Sequence, residues 1–261
     1  MKSSEILEIS IITVCKNSEV YLNETIQSVV NQTYQNIQYI VIDGNSTDGT
    51  PGIIKENSKK IAIWLSEEDG GMYHAINKGL KLATGDYILV LNSDDVLATN
   101  DTIKNVVTKM SKEKLDYYYG NIIKSKNGRN KKVTLFNVTF KQLLMSAHGT
   151  FVPHPCFFVS ASLNKKLGGY NLSYKYASDY DYILRALAST GSKGKHMEIE
   201  VTKFRIHDNS ITASGKIDEE RKAILLKQGY YQRSYLNRFF HYYVLWIYYK
   251  LINMAQNYNV G

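Results

Sequence analysis

Tyr87-Ile88-Leu89-Val90-Leu91-Asn92-Ser93-Asp94-Asp95 is the stretch that decides the fold. An unbroken apolar run leads directly into an amide, a hydroxyl and two carboxylates. A strand buried on both faces reads as such a run. In open parallel sheets, ligands bind beyond the carboxyl ends of the strands. The segment therefore predicts a buried parallel strand that delivers acidic groups to a sheet edge. Upstream the pattern repeats. Ile9 to Val14 is a β-branched run followed by Lys16, and Ile37 to Ile42 closes on Asp43 and a turn-forming loop, Gly44 to Thr50. Ile61 to Leu65 is followed by Glu67, Glu68 and Asp69. Between these strands, Leu22, Ile26, Val29 and Val30 mark one helix face, with Asn17 and Ser18 as candidate caps. A second helix spans Gly71 to Leu82 through Met72, Ala75, Ile76 and Leu80. This alternation predicts an α/β fold with a parallel sheet covered by helices.

Downstream, the pattern is less regular. Asp116 to Tyr119 and Lys131 to Phe136 read as strands around a polar, basic turn, Lys124 to Asn130. Phe157 to Val159 is a further apolar run, Ser178 to Leu187 a helix and Ile199 to Ile206 a strand. No linker or repeat interrupts the chain. We expect one catalytic-type domain over 1–217, with halves 1–110 and 111–217, and a basic helical tail over 218–261.

Among 261 residues, Lys and Arg outnumber Asp and Glu by 32 to 24, a formal charge of +8 that suits an anionic partner. Hydrophobic residues at 44% exclude a disordered chain, and only 3 prolines exclude Pro-rich linkers. Cys15 and Cys156 lie in apolar sequence without metal-binding spacing, which reads as buried thiols in a reducing compartment. Met1 to Glu8 lacks the apolar core of a signal peptide. No run approaches the roughly 18–20 apolar residues that span a bilayer. The expected location is cytoplasmic, peripheral at the inner face of the cytoplasmic membrane.

Carboxylates gathered at one edge repel one another unless a cation sits among them. Mg²⁺ or Mn²⁺ suits oxygen ligands and often uses only one or two carboxylates plus ligand phosphates. Asp94 and Asp95 are the best candidates. No Gly-x-Gly-x-x-Gly follows the first strand and no phosphate-binding Gly-x-x-x-x-Gly-Lys-Ser/Thr occurs, which argues against a dinucleotide site and a P-loop.

Five segments in order resemble glycosyltransferase family 2, closest to the bacterial O-antigen and capsule type: Ile11 to Val14, Ile40 to Thr50, Ser66 to Gly79, Ala83 to Ile88 and Leu91 to Asp95. Phe151 to Phe158, Leu167 to Tyr170 and Ala177 to Arg185 resemble its acceptor half, so the likeness runs from about Ile9 to about Thr212. The resemblance implies a GT-A fold: a Rossmann-like, mostly parallel sheet flanked by helices, here with a helical C-terminal tail. It also implies a nucleotide-sugar donor, a divalent metal and inversion at the anomeric carbon. The expected donor is a UDP- or dTDP-sugar, the expected metal Mn²⁺ or Mg²⁺, and the expected acceptor a lipid-linked glycan.

Carried over by residue, Thr13 and Val14 resemble the start of the nucleotide pocket, and Asp43 the carboxylate that accepts the imide N–H of uracil or thymine. A turn-forming aspartate is the other reading of Asp43. Asp69, Asn77 and Lys78 resemble the ribose and phosphate segment. Asn92, Ser93 and Asp94 occupy the Asp-x-Asp position. Asn92 departs from the usual aspartate, so the metal rests on Asp94 with Asp95 beside it. The resemblance gives His207 to the metal or diphosphate and Arg205 to the leaving diphosphate. His154 faces acceptor or donor sugar in one reading and is a structural histidine in the other.

The resemblance makes Asp179 the base that takes the acceptor proton. Asp181 has two structural alternatives, because Ser178-x-x-Asp181 has capping-box spacing and Arg185 lies four residues on. Asp179 has neither, and a first-turn position keeps it ionised. From Lys222 to Gly261 there is no acidic residue, and Lys and Arg alternate with Tyr, Phe and Trp. That tail suits an anionic membrane surface, or a helix packed on the domain. A nucleic-acid partner does not fit an acidic sheet edge. A non-catalytic nucleotide- or glycan-binding protein on the same fold is the alternative function.

Overall fold

β1, Ile9–Cys15, is buried along its whole length and lies inside the sheet. It pairs in parallel with β2, Ile37–Asp43, and with β4, Tyr87–Val90. β2 in turn pairs in parallel with β3, Ile63–Ser66. The computed structural model describes residues 6–145, 152–189, 191–207 and 216–229, together with 243, 247, 250 and 251. The expected membrane-facing tail and the loop beyond His207 therefore lie almost wholly outside the described residues. Within them, no helix is long and apolar enough to cross a membrane.

Because these four strands run parallel, Cys15, Asp43, Ser66 and Leu91 all emerge at the same edge. The helices α1 (Leu22–Val30), α2 (Thr50–Asn57) and α3 (Met72–Leu82) connect them. Gly79 lets α3 approach closely, since a Cβ there would stand 2.5 Å from Ile12 Cγ2. Ile9, Ile11, Ile12, Ile40 and Ile42 are fully buried, each contributing about 1.5–3 kcal/mol.

The second half of the sheet is mixed. β8 (Phe157–Ser160) runs antiparallel to β4 and to β6 (Tyr117–Lys126), and β6 runs parallel to β9 (Gly194–Arg205). β5, Val96–Leu97, pairs antiparallel with the end of β9. β7, Arg129–Val133, forms a hairpin with β6 around Asn127 and Gly128, both at positive φ. The register brings the carboxyl end of β9, and hence Arg205 to His207, to the edge where β4 ends. The helices are α4 (Thr102–Met110), α5 (Phe140–Met145), α6 (Ala161–Leu167), α7 (Ser178–Ala188) and α8 (Lys216–Lys227).

Several local expectations change. β3 is an exposed edge strand that begins at Ile63, two residues later than the expected start at Ile61. Asn17 and Ser18 do not cap α1. Asn17 adopts positive φ and its Oδ1 accepts the Thr47 N–H, while the Ser18 hydroxyl bonds that of Ser93 at 2.9 Å. The strands β6 and β7 also extend into the basic segment from Lys124 to Asn130, so that the turn itself narrows to Asn127 and Gly128.

Candidate active site

At the carboxyl ends of β4 and β9, His207 Nε2 lies 2.9 Å from Asp94 Oδ2, and both side chains are about one-quarter exposed. A carboxylate and an imidazole thus converge on one point. Asp95 does not share that point, contrary to the expectation that it stands beside Asp94 on the metal. It is fully buried, with Oδ1 accepting the Arg205 N–H at 3.0 Å and Oδ2 accepting from Asn92 Nδ2 at 3.1 Å. Burial, and next the Asp94 charge, push the Asp95 carboxyl well above the carboxylate range. Of two adjacent aspartates on a short loop, Asp94 keeps surface that a ligand can reach, while buried Asp95 closes the loop.

That loop is fastened on every side. Thr25 Oγ1 bonds the carbonyl oxygens of Ser93 and Asp95. Arg205 Nε donates to the Asp94 carbonyl at 3.2 Å, and its Nη2 reaches Glu24 at 2.6 Å. The guanidinium also lies 4.2 Å from the centroid of the Tyr21 ring, and Tyr21 packs against His207. Arg205, expected on a diphosphate, is held by these protein partners.

Asp94 and His207 fit a hard cation whose remaining ligands are phosphate oxygens, since such ions are often held by one or two protein groups. Among the described residues, no group of three or more His, Cys, Asp or Glu side chains could hold a metal by itself.

A second cluster occupies the ends of β1 and β2. Thr13 is buried and accepts from the Tyr39 hydroxyl at 3.2 Å; Val14 is buried beside it. Asp43 has no exposed surface. It accepts from the Ser46 hydroxyl at 2.5 Å, the Ser66 hydroxyl at 2.6 Å and the Ser46 N–H. The carboxylate expected to read a base instead closes the Gly44–Thr50 loop from beneath. Asp69 stands over the same corner, its Oδ2 2.9 Å from where a Gly44 Cβ would lie, with Lys16 alongside. Its other oxygen accepts the Gly71 N–H. Lys78 pairs with Glu67 at 2.9 Å.

The third cluster joins α3 to α7. Asp179 Oδ1 accepts the Tyr180 N–H at 2.8 Å and the Tyr73 hydroxyl at 3.2 Å. Asn77, one helical turn beyond Tyr73, holds the Tyr170 backbone through both ends of its amide, at 2.9 and 2.8 Å. Tyr170 stacks on Tyr182 at 4.3 Å, and its hydroxyl meets His154 Nε2 at 2.6 Å. Burial pushes the His154 imidazole down, so it is neutral. His154 is thus a satisfied core histidine.

Asp181 is buried and pairs with Arg185 at 2.7 Å, as its spacing predicts. The capping box does not form. Ser178 bonds the Asn171 carbonyl, and the N-cap residue is Ala177 without a side-chain cap. The N–H groups of Lys175, Tyr176 and Ala177 donate instead to Glu220 of α8, each at 2.7–2.8 Å. Tyr73, Tyr21, Glu24 and Glu220 were not singled out from the sequence. Tyr73 had a signal, because it shares a helix face with Asn77.

Residues 10–168 match the family described as Glycosyl transferase family 2. The chain belongs to this family. It is 34% identical over 184 residues to an uncharacterized glycosyltransferase of Mycobacterium tuberculosis, covering 68% of each chain. It is 30% identical over 223 residues to the Escherichia coli protein WfaP, a UDP-Glc:alpha-D-GlcNAc-diphosphoundecaprenol beta-1,3-glucosyltransferase, covering 84% of this chain and 85% of that one. Staphylococcus aureus TarS 1-349, in complex with UDP-GlcNAc, superposes with a TM-score of 0.70 at 19% identity, covering 84% of this chain. The match spans 65% of that TarS chain. The mannosyltransferase PcManGT of Pyrobaculum calidifontis, solved with GDP-Man and Mn2+, gives a TM-score of 0.66 at 17% identity, covering 98% of this chain and 76% of that one. The fold of this family 2 glycosyltransferase is therefore GT-A.

Proposed function

We propose that this family 2 glycosyltransferase moves a sugar from a UDP- or dTDP-sugar, with inversion, onto a hydroxyl of a glycan acceptor carried on a lipid. The observation that carries the reading is the pair of acidic centres, Asp94 with His207 and Asp179, served by the same sheet edge and the helix packed beside it. In this reading Asp179 Oδ2 takes the proton from the acceptor hydroxyl as its oxygen forms a bond to the anomeric carbon. The bond from that carbon to the donor phosphate oxygen breaks on the opposite face, and the nucleoside diphosphate leaves. An inverting displacement needs such a base.

Asp94 and His207 would hold Mn²⁺ or Mg²⁺, which supplies charge neutralisation for the departing diphosphate. Arg205 keeps the 92–95 loop in register, and Asn77 serves the helix contact in place of the ribose. At the corner of β1 and β2, Asp69 and Lys16 replace Asp43 as the groups that can face the nucleotide. The names of WfaP and TarS support a uridine nucleotide donor, and that of WfaP supports a polyprenyl diphosphate-linked acceptor. Such an acceptor would bring the protein to the cytoplasmic face of the membrane, with the basic, aromatic tail as its contact. The test is incubation with a panel of UDP-, dTDP- and GDP-sugars and a lipid-linked acceptor, measuring nucleoside diphosphate release. Release from UDP- or dTDP-sugars that depends on acceptor supports the reading; release from GDP-sugars alone contradicts it.

A further inference from the structure

We propose that Tyr73 is a positioning residue for Asp179: its hydroxyl fixes one carboxylate oxygen so that the other is presented to the acceptor. This rests on the reading of Asp179 as the base. Asp179 Oδ1 accepts two hydrogen bonds, from the Tyr180 N–H at 2.8 Å and from the Tyr73 hydroxyl at 3.2 Å. Oδ2 has no hydrogen bond among the described residues. A carboxylate held by one oxygen from two directions has a defined plane, and its free lone pairs point one way. Without the tyrosine, only the bond to the adjacent N–H remains among the described residues, and the side chain can rotate about it.

Tyr73 is well suited to this task because its own position is over-determined. The ring is buried within α3 and stacks on Tyr170 at 5.8 Å with an interplanar angle of 15°. Tyr170 is immobilised by Asn77 through its backbone, by His154 through its hydroxyl and by Tyr182 through its ring. Burial, and next the Asp179 charge, push the Tyr73 phenol far above its ordinary range, so it keeps the proton that it donates to the carboxylate oxygen. The bond crosses between the nucleotide-side helix α3 and the acceptor-side helix α7. It therefore ties the orientation of the base to the half of the molecule expected to hold the donor.

The test is a double-mutant cycle of Tyr73→Phe and Asp179→Asn, with kcat and both KM values measured for every variant in the full chain. Phenylalanine keeps the stacking and removes only the hydroxyl. Tyr73→Phe is expected to lower kcat roughly 10- to 100-fold, the scale of a misplaced reacting group. Donor and acceptor KM should stay within about twofold, because a positioning loss falls on the chemical step. In the Asp179→Asn background, Tyr73→Phe should cause no further loss, since there is no base left to orient. The cycle remains informative if Tyr73→Phe lowers the thermal midpoint, because a purely structural loss would appear in both backgrounds. An unchanged kcat in Tyr73→Phe, or losses that multiply in the double variant, would overturn the role of Tyr73 alone. Normal turnover by Asp179→Asn would instead remove the base assignment, and the role of Tyr73 with it.

Discussion

Arg185 Nε lies 2.7 Å from Asp181 Oδ2, and the same guanidinium donates to the carbonyl oxygens of Leu167 and Gly169. Asp181 therefore holds, through Arg185, the turn that carries Tyr170. Its carboxylate is buried, whereas Arg185 is one-quarter exposed. Asp181→Asn should cost about 2 kcal/mol, the scale of a charge-assisted bond lost in a partly wet pair. For a chain of this size that lowers the thermal midpoint by about 4–8 °C. A melt unchanged within about 1 °C would show that the pair contributes nothing.

The stability of the fold should fall with acid through its histidines. Burial pushes His196 down to about 4 from an ordinary 6.5, opposed in part by the Glu198 carboxylate. Between those values the unfolded chain binds more protons than the folded one, so stability rises with pH across the window. The contribution is complete above about 6.5 and is lost as pH falls toward about 4. His154 acts in the same direction, and Asp95, with its raised carboxyl, in the opposite one. The clean observable is thus a difference. Thermal midpoints of the wild type and His196→Gln between about pH 4.5 and 7.5 should diverge, with the variant less sensitive to acid. Parallel curves would mean that His196 titrates alike in both states.

The cation should report on Asp94 and His207 separately from catalysis. Calorimetry of UDP should show tighter binding with Mn²⁺ than in EDTA for the wild type. That gain should vanish in Asp94→Ala and shrink in His207→Ala. Asp95→Asn should instead lower the thermal midpoint, because Asp95 faces the Arg205 backbone and not the ligand. A metal-dependent gain that survives in Asp94→Ala would remove the proposed cation site.

What was legible in the sequence follows a physical division. Apolar runs ending in polar residues gave β1, β2 and β4 and the edge they share, because strand burial and parallel order are written locally. Asp94 could be found because it follows such a run, and the pairing of Asp181 with Arg185 because a helix places residues four apart on one face. The different environments of Asp94 and Asp95 were not legible. They depend on Arg205, 110 positions away from Asp95, offering its backbone N–H. Tyr73 and Asp179 are 106 positions apart, and Glu220 reaches residues more than 40 positions earlier. The Ser178 cap is absent for a related reason: its hydroxyl donates to the Asn171 carbonyl seven positions earlier, while Glu220, from another helix, takes the N–H groups of residues 175–177 just ahead of α7.

The most direct test of the account is to measure turnover and UDP affinity together for Asp179→Asn, which keeps the shape of the side chain but cannot take a proton. With a UDP-sugar and a lipid-linked acceptor, the account predicts that turnover drops on the order of 10²–10⁴-fold while UDP affinity is unchanged. Turnover at the wild-type rate, in a folded variant that binds UDP normally, would contradict it.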